Sequence, residues 1–156
     1  MKIRPVREGD LVAIRRIIAE HSRYDARFAM RVLRRELADR ASGGSRTRHI
    51  VAIRSNEVIG VSGWEKDEGG GEGVFWLGWT YIQSDQRRQG VGTALLARVG
   101  DEIAKRGARK LYLETGAKGY EAALSFYGKH GFTQEACLPD FYSDGEDCLI
   151  LARRLR

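Results

Sequence analysis

At 156 residues the chain has room for one hydrophobic core and not for two ordinary domains, so residues 1–156 are expected to form a single domain. Hydrophobic residues make up 42% and aromatics 9%, and no apolar run approaches the roughly 20 residues of a membrane helix, which excludes a membrane partner and points to a soluble protein. Lysine and arginine outnumber aspartate and glutamate by 27 to 21, a net charge of +6 that suits a polyanionic ligand; because the basic residues are scattered over several segments, the pattern argues against nucleic acid.

Met1 to Val6 is charged and lacks a following apolar stretch, so no secretory signal or anchor is read and a cytoplasmic location is expected. Ile3 to Val6 predicts a strand. Asp10 is placed to cap a helix whose apolar face carries Leu11, Ile14, Ile17, Ile18 and His21. A second helix follows with Met30, Leu33, Leu37 and Ala41 on one face, ended by Ser42-Gly43-Gly44-Ser45. His49–Arg54 and Val58–Glu65 read as a hairpin around Ser55-Asn56-Glu57. A glycine-rich turn, Asp67 to Gly73, leads into the strongest strand, Val74–Gln83.

An amphipathic helix with Leu95, Leu96, Val99 and Ile103 comes next and closes at Gly107. Lys110–Thr115 reads as a strand, Glu121–His130 as a helix, and Phe132–Cys137 and Cys148–Leu155 as the last two strands. The class is α/β (α+β), a central mostly antiparallel mixed sheet of about seven strands flanked by four helices. Cys137 and Cys148 are read as ordinary buried or half-buried thiols. The histidines, His21, His49 and His130, have no carboxylate or cysteine at metal-ligand spacing, so no metal is expected.

The segment Arg87-Arg88-Gln89-Gly90-Val91-Gly92 lies between the longest strand and a helix N-terminus. Successive N–H groups aimed into one concavity, backed by the positive end of a helix dipole, make a nest for a pyrophosphate. A tight connection that needs glycine only for its dihedrals is the plainer reading. The segment lacks the third small residue of the dinucleotide fingerprint and the Gly-Lys-Ser/Thr of a P-loop.

This R-x-x-G-x-G pattern resembles the acyl-CoA pyrophosphate loop of the GNAT superfamily. Ile3 to Asp10 resembles the family's usual opening, and Ser125-Phe126-Tyr127-Gly128-Lys129-His130-Gly131-Phe132 resembles its helix-to-strand signature. Ser84 stands where many relatives have proline. The resemblance covers nearly the whole chain and implies the GNAT fold and an enzyme, an N-acetyltransferase. Such an enzyme moves an acetyl group from acetyl-CoA to a primary amine by direct attack in a ternary complex. It further implies that the backbone around Arg87, Arg88, Gln89, Gly90, Val91, Gly92 and Thr93 holds the coenzyme A phosphates. The pantetheine would lie against Tyr81, Ile82 and Gln83, one of whose N–H groups polarises the thioester carbonyl.

For catalysis, Glu114 resembles the base of some N-terminal acetyltransferases of the family; a surface glutamate at a strand end is the other reading. Tyr127 is the candidate acid for the thiolate, against a core aromatic. Tyr142 and Asp144, in a segment read as a hairpin loop, are the candidate acceptor-binding residues, against a solvated acidic turn. The acceptor is not specified, and a homodimer is compatible with the pattern. The alternative is a non-catalytic acyl-CoA sensor or an RNA-docking module on the same fold.

Overall fold

Residues 1–43 and 46–155 are described by a computed structural model. Strand β1 (Lys2–Pro5) lies antiparallel to β2 (Thr47–Arg54), which pairs with β3 (Glu57–Lys66). Ser55 and Asn56 join β2 to β3 at φ of 49° and 63°, the pair of left-handed residues that a two-residue hairpin requires. Between β1 and β2 the chain forms α1 (Leu11–Ala19) and α2 (Arg23–Ala41). The end of α2 was assigned to Ser42-Gly43-Gly44-Ser45, of which Gly44 and Ser45 lie outside the described residues.

Strands β4 (Val74–Leu77) and β5 (Tyr81–Ile82) follow, then α3 (Val91–Ala104), β6 (Lys110–Gly116) and α4 (Glu121–Lys129). Strands β7 (Thr133–Ser143) and β8 (Glu146–Arg154) complete the order. The eight strands form one open mixed sheet, ordered β1-β2-β3-β4-β6-β8-β7, with β5 attached to β3 off this path. Every pairing is antiparallel except β4 with β6. The expected class, sheet character and four helices are all present, with one strand more than expected.

Each face of the sheet buries its own core. On one side α1 and α2 bring Ile14, Ile17, Ile18 and Leu33 onto Val51 and Val61. On the other, Leu95, Leu96, Val99 and Ile103 of α3 pack on Ile50, Phe75, Leu111 and Leu151. Burying such side chains stabilises by about 1.5–3 kcal/mol each before entropy is counted.

Four sequence assignments change. The strand expected over Val74–Gln83 is broken at Gly78–Thr80. Gly78 donates its N–H to Gly63 O at 2.8 Å, and a Cβ there would sit 3.1 Å from His49 Nε2, so the backbone bends around a buried ring. Strand β7 runs to Ser143 rather than stopping at Cys137, which puts Tyr142 on a strand instead of in a loop. Pro139 has no N–H to give, and the register shifts between Leu138 and Ser143. Asp147 Oδ1 there accepts Asp140 N–H at 2.9 Å, and side chains replace the missing ladder bonds.

Asp10 stands at the N-cap position of α1, as expected, but its side chain makes no capping bond to that helix. Its carboxylate accepts from Arg4 Nη1 and Nη2 at 2.6 and 2.9 Å and from Arg7 N–H at 2.8 Å, locking β1 to the entry of the helix. Cys137 is exposed on the edge strand β7, whereas Cys148 is buried.

His49 has a carboxylate partner that only the fold supplies. Glu36 of α2 accepts from His49 Nδ1 at 2.6 Å and from its backbone N–H at 3.0 Å, with both side chains almost fully buried. Removing one member of a buried pair strands the other, which costs about 3–5 kcal/mol. Glu36→Ala is therefore expected to lower unfolding stability by about 3 kcal/mol or more, read from urea titration. A midpoint equal to the parent's would show that the pair contributes nothing.

Candidate active site

Between β5 and α3 the backbone takes an unusual path. Ser84–Gln86 form a short 3-10 turn, Arg87 is extended, and Arg88 and Gly90 both adopt the left-handed region at φ of 58° and 78°. Alternating such residues with right-handed ones turns consecutive N–H groups to one side. The first backbone bond of α3 runs from Ala94 N–H to Gly90 O at 3.0 Å, and among the described residues the N–H groups of Arg88 to Thr93 meet no protein acceptor. They form an open donor set at the positive end of a helix dipole.

The two glycines have different reasons. A Cβ on Gly90 would meet nothing within 4 Å, so its requirement is the positive φ. A Cβ on Gly92 would lie 3.3 Å from Phe126 Cζ, so this glycine lets α4 approach α3.

The loop is braced at both ends. Arg54 Nη1 donates to Gln86 Oε1 at 2.7 Å and Gln89 Oε1 at 2.6 Å. Ser84 N–H donates to Glu20 Oε2 at 2.9 Å, a bond that proline could not make at this position. The Ser84 hydroxyl on the same carboxylate holds Glu20 below the usual carboxylate range. His21 Nε2 lies 3.2 Å from Ile82 O, and Arg87 Nη2 lies 3.2 Å from His21 Nδ1. Arg87 Nη2 is also 3.0 Å from His21 Nε2, so the guanidinium packs against both ring nitrogens.

Among the described residues, β3 is the one strand that pairs with β5. Its register pairs Tyr81 with Val61 and Ile82 with Gly60, and Gln83 N–H donates to Ile59 O at 2.9 Å. Antiparallel alternation then turns Tyr81 N–H toward β3 as well and leaves Ile82 N–H facing outward. Outward means toward β6, because β4 and β6 are paired only over Val74–Trp76 and Lys110–Tyr112. Beyond that point β6 stays with β8, and a wedge opens between β5 and the end of β6. Of the three residues Tyr81, Ile82 and Gln83, only Ile82 offers its N–H to this wedge.

Tyr127 comes to the wedge from α4. Its hydroxyl lies near Thr80, whose Oγ1 lies 2.8 Å from Ser62 Oγ. Burial raises the phenol pKa, and Thr80 draws it down without cancelling that shift. The ring also stands edge-on to Phe126 and Phe132 at 5.3 and 5.5 Å, so packing fixes where the hydroxyl points. The sequence assigned Tyr127 but gave no sign of Thr80, which lies in the break after Gly78, or of Ser62, a buried hydroxyl on β3.

Near Tyr142 are Glu114, Tyr120, which the sequence did not single out, and Cys148, which it read only as an ordinary thiol. Tyr142 donates to Cys148 Sγ at 3.5 Å. Desolvation first, then this bond and the nearby Glu114 and Tyr120, push its phenol pKa upward. Tyr120 lies over Gly116, where a Cβ would be 2.6 Å from the ring, and it also contributes to the raised pKa of Tyr81. That shift is caused mainly by burial and then by Asp25, which accepts from the Tyr81 hydroxyl at 2.7 Å. Tyr120 thus raises the phenol pKa of both Tyr81 and Tyr142, with Tyr127 acting on the first and Glu114 on the second.

Asp144 is not part of this cluster. It sits in the exposed turn between β7 and β8, and the neighbouring carboxylates Asp140 and Asp147 are used on Gly145 N–H and Asp140 N–H. Among the described residues no group of histidine, cysteine and carboxylate side chains could hold a metal ion, and no helix is long and apolar enough to cross a membrane.

Residues 12–132 match the acetyltransferase (GNAT) family. The [ribosomal protein bS18]-alanine N-acetyltransferase of Escherichia coli (strain K12) is 39% identical over 74 residues, 46% of this chain and 49% of that protein. The chain thus spans about half the length of the curated relatives it matches first. A crystal structure assigned to the GNAT family from Desulfovibrio desulfuricans superposes with a TM-score of 0.91 at 26% identity, covering 99% of each chain. An aminoglycoside 6'-N-acetyltransferase complexed with coenzyme A shares the fold at 15% identity, with a TM-score of 0.78 over 100% of this chain and 98% of that one. With its matched stretch running from α1 through α4, the chain belongs to the acetyltransferase (GNAT) family.

Proposed function

We propose that this protein transfers an acetyl group from acetyl-CoA to a primary amine by direct attack within a ternary complex. One observation carries the reading. The donor nest at Arg88–Thr93, which lacks protein acceptors, lies at the end of a wedge whose single outward strand N–H is that of Ile82. A pyrophosphate fits the first and an amide-bearing chain ending in a carbonyl fits the second. Acetyl-CoA supplies the activated acyl group on sulfur.

Within that frame the residues divide the work. Arg88 to Thr93 hold phosphate through their backbone, and Arg87 is oriented beside them by His21. Ile82 N–H is fixed in the sheet before substrate arrives and polarises the carbonyl oxygen. Glu114 takes the proton that a protonated amine must lose, and Tyr127 returns one to the departing sulfur. A phenol with a raised pKa is still protonated at neutral pH, so Tyr127 is in the form that donates.

The relative whose name specifies an alanine N-acetyltransferase supports a peptide α-amine as acceptor. So does the chemistry: an α-amine with a pKa of about 8 needs less from a carboxylate base than a lysine at about 10.4. Tyr142 and Tyr120 border the side from which that amine would enter, and Asp144 lies further out on the hairpin turn.

Two variants test the assignment. Gly90→Glu places a carboxylate in the nest and should abolish coenzyme A binding in calorimetry, at a stability cost of about 1–2 kcal/mol for a side chain at positive φ. Wild-type affinity in the folded variant would remove the nest from the binding site. Tyr127→Phe keeps the ring against Phe126 and Phe132 and deletes the donor. It should lower kcat by about 10²-fold or more, with coenzyme A affinity little changed, in a thiol-release assay with peptide amines. A rate within a few-fold of the parent's would make Tyr127 a packing residue only.

A further inference from the structure

Helices α1 and α2 carry eight arginines and no lysine. Each carboxylate on these helices and their caps is already committed. Asp10 is held by Arg4, Glu20 by Ser84, Asp25 by Tyr81 and Glu36 by His49. Asp39 alone reaches an arginine on the outer face, Arg35 at 4.0 Å. Arg15, Arg23, Arg27 and Arg34 are exposed, and among the described residues none of them has a carboxylate partner. Scattered in the sequence, these cations are gathered by the antiparallel packing of the two helices.

They also line a cleft. Two adjoining depressions of about 280 and 310 Å³ run between α1 and α2 on the solvent side. Leu11 and Met30 floor the first between Arg15, Arg27 and Arg34, and Arg15, Arg23 and Arg27 surround the second. Arg23 and Arg27 are one helical turn apart, about 6 Å along the axis. Beside this row α2 exposes two aromatics a turn apart, Tyr24 at 79% and Phe28 at 42%, with the Arg31 guanidinium stacked over the Phe28 ring at 5.3 Å.

We propose that this cleft binds single-stranded nucleic acid, with phosphates on Arg15, Arg23 and Arg27 and bases on Tyr24 and Phe28. The planar guanidinium matches phosphate in a bidentate fashion that an ammonium does not, consistent with a face built from arginine alone. An acidic peptide would use the cations but leave the exposed rings without a flat partner. Unpaired bases use both, because every base has a face to stack. The proposal is independent of acetyl transfer, since no residue substituted below borders the wedge.

The test is fluorescence anisotropy with a labelled oligouridylate of roughly 12 nucleotides, at several salt concentrations, with polyglutamate as competitor. Three phosphate contacts predict a slope of log affinity on log salt of roughly −2, at about −0.7 per contact in a single strand. Arg15→Gln with Arg27→Gln should weaken binding by about tenfold or more and flatten the slope by roughly 1.4. Tyr24→Ala should weaken it by roughly fivefold or more with the slope unchanged. These positions are exposed, so circular dichroism should match the parent's. No binding at low salt overturns the proposal, and so does polyglutamate competing on equal terms with an affinity indifferent to Tyr24→Ala.

Discussion

Strands β4 and β6 can stay together for only three residue pairs, and the active-site arrangement depends on that separation. On one side β5 is fixed to β3 by Gln83 N–H on Ile59 O and by the close fit of Ile82 over Gly60, where a Cβ would be 2.9 Å from Ile82 Cδ1. On the other, β6 is fixed to β8 through seven consecutive pairs. Neither strand can cross the gap without giving up its own ladder. Backbone groups facing the gap still need partners. A ligand that is itself a chain of amides would meet that need, and this supports the proposed placement of the pantetheine.

Closure of the wedge from the α1–α2 side rests on carboxylates spent inward. Asp25 reaches Tyr81, Glu20 reaches Ser84, and Glu36 reaches His49, so α1 and α2 are tied to β5, to the nest and to β2 by one acid each. His49 stacks on Trp79 at 5.6 Å, and Trp79 meets Phe28 edge-on at 5.7 Å. A displacement of α2 would therefore be transmitted through the Trp79 ring to the irregular stretch that presents Thr80. Turning these acids inward also leaves the outer arginines without counter-charges.

The element order and the glycine-dependent turn before α3 were legible because both are local. Hydrophobic period gave α1 to α4, and Arg87 to Gly92 declared its turn through its glycines. What sequence reasoning lost is non-local. Glu36 and His49 are 13 positions apart on different elements, and Thr80 acts on the Tyr127 phenol from 47 positions away. The break at Gly78 was hidden because its cause is a histidine ring from another strand. In the acidic hairpin, composition alone could not separate carboxylates that hold the turn's backbone, as Asp140 and Asp147 do, from Asp144 beside them.

Gly92 connects the two halves of the proposed chemistry. The space left by its missing side chain is filled by Phe126, and the neighbouring Thr93 hydroxyl lies 3.1 Å from His130 Nε2. His130 in turn stacks on Phe126 at 4.3 Å, and its Nδ1 lies 2.8 Å from Phe126 O. The residue after Phe126 is Tyr127. The start of α3, which forms the nest, and the end of α4, which carries the hydroxyl, are thus one packed joint. Interiors packed this closely transmit small displacements instead of absorbing them. In the proposed reaction, phosphate seated on the N–H groups of Gly92 and Thr93 would bear on the same joint that sets the position of the Tyr127 ring.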